Sequence, residues 1–85
     1  MRQLYLDRDA GRTTMLLRMA PGARLPAHRH GADEQCLVVS GDIRQGEVVY
    51  REGDFVVMGK DSHHPEIYTE GGNVLLLVMG RNELI

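Results

Sequence analysis

Eighty-five residues with ten basic and twelve acidic side chains, a formal charge of −2, no Trp and a single cysteine describe a chain with room for one small core. Folding at this size hides only a little over ~60% of the surface the unfolded chain exposes, and the lone Cys36 excludes an intrachain disulfide, which leaves a metal or a partner subunit as the source of extra stability. Dispersed, balanced charge argues against a nucleic-acid partner, no apolar run approaches the ~20 residues of a membrane helix, and Asp7, Arg8, Asp9 and Arg12 interrupt any secretory leader, so the expectation is a soluble, cytoplasmic protein with no membrane association.

Ten glycines and three prolines punctuate the chain at short intervals, and the apolar residues between them recur with period two, the mark of strands. The first twenty residues supply one or two strands: Arg2 to Leu6 at an edge, then Met15, Leu17 and Met19 alternating with Thr14, Leu16 and Arg18 up to the Pro21-Gly22 turn. Cys36 to Val39 reads as a strand closed by a turn at Ser40-Gly41-Asp42, and Glu47 to Tyr50 as another beyond Gln45-Gly46. After the turn Glu52-Gly53-Asp54 come Phe55 to Met58, the loop Gly59 to Ser62, a strand from His64 to Thr69, the turn Gly71-Gly72-Asn73 and the strand Val74 to Met79. Seven or eight short strands with frequent turns and no helical stripe predict an all-β sandwich or barrel, with no linker, repeat or second domain.

His28 and His30 stand two apart on a segment expected to be extended, so their side chains leave one face, and Glu34 has the same parity. A histidine from a neighbouring strand, His63 or His64, would complete a set of imidazole and carboxylate donors that suits Zn, Fe, Mn, Ni or Cu. Cys36 shares Glu34's parity but reads as a buried thiol and is not counted as a ligand. The methionines in strand patterns read as core, and Tyr50 and Tyr68 as half-exposed strand residues.

From Gly22 the chain runs five residues to His28, one to His30, three to Glu34 and six to Gly41. That spacing, with Pro21-Gly22 before it and Pro26 two residues before His28, resembles the first signature motif of the cupin superfamily. The second motif is partial: from Gly53, the family's proline, glycine and asparagine positions hold Gly59, Asp61 and Tyr68, while its histidine falls on His64. The run His63-His64-Pro65 also looks like the ending found in cupin domains of zinc-binding bacterial anti-sigma factors. Motif spacing favours His64 as the fourth ligand. Strand parity with Ile67 favours His63, and the alternative stays open.

The resemblance covers Pro21 to about Met79 and implies a single small jelly-roll (cupin) β-barrel over residues 1–85, its core about 13–79, holding one divalent transition metal through His28, His30, Glu34 and His64, or His63 in its place. It implies a stand-alone metal-binding cupin with a binding or sensing role, open to a small-molecule ligand; the alternative is a metal-dependent dioxygenase or isomerase acting on a small organic substrate. The helical sigma-binding domain of an anti-sigma factor is missing from these residues. A homodimer is expected, because an edge such as Arg2 to Leu6 gains from pairing across a two-fold axis, with Asn82 to Ile85 free to join the contact.

Overall fold

Short apolar alternations broken by glycine and proline give short strands, and the computed structural model shows where each one pairs. It describes residues 2–25, 28–29, 33–59, 63–64 and 66–80, those at 28–29 and 63–64 by their backbone. Among these residues the chain forms ten strands and no helix: β1 (Arg2–Asp7), β2 (Arg12–Met19), β3 (Arg24–Leu25), β4 (His28–Arg29), β5 (Glu34–Gln45), β6 (Val48–Arg51), β7 (Phe55–Met58), β8 (His63–His64), β9 (Ile67–Tyr68) and β10 (Asn73–Gly80). No helix among them is long and apolar enough to cross a membrane, which says nothing about strands.

Five strands make the larger face, in the order β1, β2, β10, β5, β7, all antiparallel. The second face takes the far half of β5 with β6 on one side and β9, then β3, on the other. One long strand therefore belongs to both faces and folds the sheet on itself as a jelly-roll barrel. The core lies between the faces: Met15, Leu17 and Met19 of β2, Cys36 and Val38 of β5, and Leu75, Leu77 and Met79 of β10 close against Ile43 and Ile67. Among its buried polar groups the Thr13 and Thr69 hydroxyls have partners, while Asn73 Oδ1 has none among the described residues. The Thr13 hydroxyl donates to the Tyr5 carbonyl at 3.0 Å and accepts from the Gln3 amide at 2.9 Å, so the edge strand β1 is pinned by side chains as well as by its ladder.

Two sequence expectations are corrected. Ser40-Gly41-Asp42 is no chain-reversing turn; β5 continues through it, and the ladder with β10 slips between Val74 and Leu75. Gly41 lies at φ 78°, and a β-carbon there would overlap the Gly72 carbonyl oxygen, so the strand bends where only glycine fits. The bend lets residues 34–38 pair with one face and residues 42–45 with the other. The segment His64 to Thr69 is likewise two strands, β8 pairing β4 while β9 pairs β3 and β5. Pro65 stands between them, a residue with no N–H to give to a ladder.

A polar knot locks the turn that closes the barrel. The Thr69 hydroxyl donates to Asp42 Oδ1 at 3.1 Å and accepts from the Gly72 amide at 3.1 Å. Asn73 Nδ2 donates to the Asp42 carbonyl at 2.9 Å, and Arg44 binds Asp42 Oδ2 at 2.8 Å and Glu70 at 3.0 Å. Arg44's hydrogen bond, with help from Thr69, holds the Asp42 carboxyl below its ordinary range against the opposing effect of burial.

Candidate metal centre

Glu34 opens β5 on its core side, opposite Met58 of β7, and is only 6% exposed. An acid is rarely placed so deep without a task, since burial costs the ionised form several kcal/mol unless something offsets it. Cys36, two residues on and 1% exposed, shares that side. Burial pushes its thiol up to about 12, and the Glu34 carboxylate adds to the shift.

The start of β5 is held by a residue that sequence reading passed over. The Arg12 guanidinium donates to the Asp33 carbonyl and, at 3.3 Å, to the Val78 carbonyl. Arg12 thereby ties β2, β10 and the residue before Glu34 together. A separation of twenty-one residues hid this contact, because only the β2–β10–β5 pairing brings the two segments side by side. On the same strand the Gln45 amide approaches Met58 Sδ at 3.8 Å.

The histidine strands β4 and β8 pair antiparallel with His28 opposite His64 and Arg29 opposite His63. The neighbouring ladder pairs Arg24 with Tyr68 and Leu25 with Ile67, so both ladders keep one register. It is braced by the Arg24–Glu66 ion pair and by the Arg24 guanidinium 4.6 Å over the Tyr68 ring. Residues directly opposite in an antiparallel ladder share a side of it. His64 is therefore the register partner of His28, and His63 that of Arg29. His30 lies outside the described residues, as do the side chains of the other three histidines, and among the described residues no three potential ligands form a group.

Two clefts, of about 690 and 450 Å³, open beside Gly41, the first between Arg18, Pro21, Ser40, Gly72 and Asn73 and the second between Asp42, Arg44, Arg51 and Glu70. They sit seven residues along β5 from Glu34, some ~23 Å at the rise of an extended strand. Neither belongs to the Glu34 end.

A family model described as the ChrR cupin-like domain matches residues 1–82, nearly the whole chain. The chain belongs to the ChrR cupin-like family. Solved structures share the fold at low identity. An acetylacetone dioxygenase from Acinetobacter johnsonii superposes with a TM-score of 0.82 at 8% identity, over 91% of this chain and 56% of that one. An RmlC-like cupin protein from Ralstonia eutropha gives 0.82 at 23% identity, over 92% and 53%. Rhodobacter sphaeroides SigE in complex with the anti-sigma ChrR gives 0.73 at 23%, over 80% and 38%. This cupin spans about half the length of the first structures it matches, and no curated protein sequence matches it significantly.

Proposed function

We propose that this cupin binds one divalent transition metal through His28, His30, Glu34 and His64, and that its role is ligand binding or sensing. The observation that carries the reading is the register of β4 and β8, which sets His64 opposite His28, together with the buried carboxylate of Glu34 on the core side of β5. Three imidazoles and a carboxylate fit zinc, iron, manganese, nickel or copper. When bound, such an ion would supply a Lewis-acid or redox centre. Alternation counted back from buried Ile67 favours His63 instead of His64, and the paired His63→Ala and His64→Ala variants decide between them.

The sensing role draws on the family, whose namesake structure is an anti-sigma factor bound to its sigma factor. The second reading, a metal-dependent dioxygenase or isomerase for a small organic substrate, draws on the dioxygenase that shares the fold. Elemental analysis of untagged protein, beside His28→Ala, Glu34→Ala, His63→Ala and His64→Ala, tests the site. The expected result is near one metal per chain, lost in every variant except His63→Ala. Retention in His64→Ala with loss in His63→Ala would reverse the fourth ligand, and no metal in the wild type after reconstitution would remove the centre altogether. Iron or manganese would favour the enzyme, zinc the sensor.

A further inference from the structure

The bend at Gly41 folds β5 back far enough that its two ends, Glu34 and Gln45, reach the same end of the barrel. On the larger face Met58 is the register partner of Glu34 and Val56 that of Cys36. Directly opposite residues share a side of the ladder, so Met58 and Val56 turn inward with the buried Glu34 and Cys36. On the second face Gln45 pairs with Ile67 and Ile67 with Leu25. Ile67 belongs to the core and Leu25 packs against it, which puts the half-buried Gln45 on the inward side as well. The 3.8 Å approach of Gln45 Nε2 to Met58 Sδ joins the two rows. It sets the Gln45 amide one side chain away from the Glu34 carboxylate. Around these two polar groups the inward neighbours are Met58, Val56, Cys36, Ile67 and Leu25, and none of them is charged.

A thioether is a weak acceptor, so the Gln45 N–H groups are poorly used, and among the described residues its Oε1 has no partner. An amide turned toward an apolar interior costs free energy unless its hydrogen bonds are made, and the other inward positions of this face, Ile43 and Ile67, are apolar. We infer that Gln45 recognises a small neutral carbonyl compound bound beside the candidate metal. Its Nε2 donates to the ligand's carbonyl oxygen, and its Oε1 accepts from an O–H or N–H on the same ligand. The inference rests on the metal centre proposed above and names what that centre admits. Neutrality follows from the surroundings: Glu34 is an acid, and the described inward side chains around it supply no cation to hold an anionic ligand. An apolar body on the ligand follows from Met58, Val56, Leu25 and Ile67. Met58 is the movable wall, because its unbranched, polarizable side chain can leave the Gln45 amide and pack against that body.

Titration of the zinc-reconstituted full chain with isobutyramide, followed by NMR of the glutamine side-chain amides, tests it. Gln35, beside Glu34 but exposed on the outward side of β5, is the internal control. The expected result is saturable binding, on the order of millimolar for so small a molecule, with the Gln45 resonances moving and those of Gln35 still. Gln45→Leu should weaken binding roughly tenfold through lost hydrogen bonds at unchanged zinc content. Met58→Leu, a swap of similar volume, should change it less than about threefold. Zinc is measured on the same samples. A wild type that takes up no zinc overturns the metal centre and this inference together. Zinc-loaded wild type in which isobutyramide leaves the Gln45 resonances unmoved, or moves those of Gln35 equally, overturns this inference alone. A folded Gln45→Leu variant that binds isobutyramide as tightly as wild type does the same, and where that variant fails to fold the wild-type resonances decide.

Discussion

Replacing Gly41 with alanine isolates the bend on which the barrel depends. Gly41 sits at φ 78°, a conformation that costs an alanine about 1–2 kcal/mol. The added β-carbon would also overlap the Gly72 carbonyl oxygen and come 2.8 Å from the Asn73 α-carbon. Both neighbours are backbone, so β5 and β10 must part rather than a side chain swing away, and overpacking of that kind costs about 1–3 kcal/mol more. Parting there also strains the 2.9 Å bond from Asn73 to the Asp42 carbonyl. A total of about 2–5 kcal/mol is a large share of the ~4–13 kcal/mol available to a domain of this length, and it corresponds to a fall in Tm of roughly 8–40 °C. Gly46 is the control: φ is 60° there too, but nothing lies within 4 Å of its would-be β-carbon, so Gly46→Ala should lose only about 1–2 kcal/mol. Thermal and urea unfolding followed by far-UV circular dichroism measures both. Equal losses in the two variants would refute the claim that close approach of β5 and β10, beyond backbone conformation alone, demands glycine at 41.

Asp42→Asn should lower stability at neutral pH and flatten its acid dependence. The native carboxyl lies below its ordinary value, so its contribution is present above the unfolded pKa of ~3.9 and is lost as pH falls through the lower folded value; urea midpoints from pH 6 to pH 3 test the sign. Leu75→Ala, at a position 1% exposed in the middle of β10, should cost about 2–5 kcal/mol, read from the same unfolding curves without a change in slope. Cys36, buried with its thiol pushed up to about 12, should stay unreactive toward a disulfide reagent at pH 8 and react at once in denaturant; rapid native labelling would contradict its burial. Arg12→Ala should lower metal affinity more than Arg18→Ala does, since Arg12 donates to the carbonyl of the residue before Glu34; equal isothermal titration curves would deny it a positioning role.

Strands β2, β7 and β10 were readable because short apolar segments bounded by turn residues mark strands, alternating along β2 and continuous along β7 and β10, and glycine at turns advertises left-handed backbone. The family resemblance was readable for a related reason: histidines and a carboxylate at fixed spacing between glycines are costly residues in a small barrel, and they stand out. Sequence also named Gly41 as a motif position. It could not say that Gly41 bends a continuous strand rather than ending one, because the obstacle is the backbone of Gly72, thirty-one residues away. The split of His64 to Thr69, the tie from Arg12 to Asp33 and the pairing of His28 with His64 were hidden for the same reason, being products of which strands lie side by side. The outward side of the larger face shows the division most clearly. Leu16, Leu37, Phe55 and Leu76 are scattered apolar residues in the sequence, and each alone would pass as ordinary strand filling. Only the register of four strands aligns them into one uncharged surface, since pairing across a sheet is decided by long-range hydrogen bonds and core packing that no local pattern encodes.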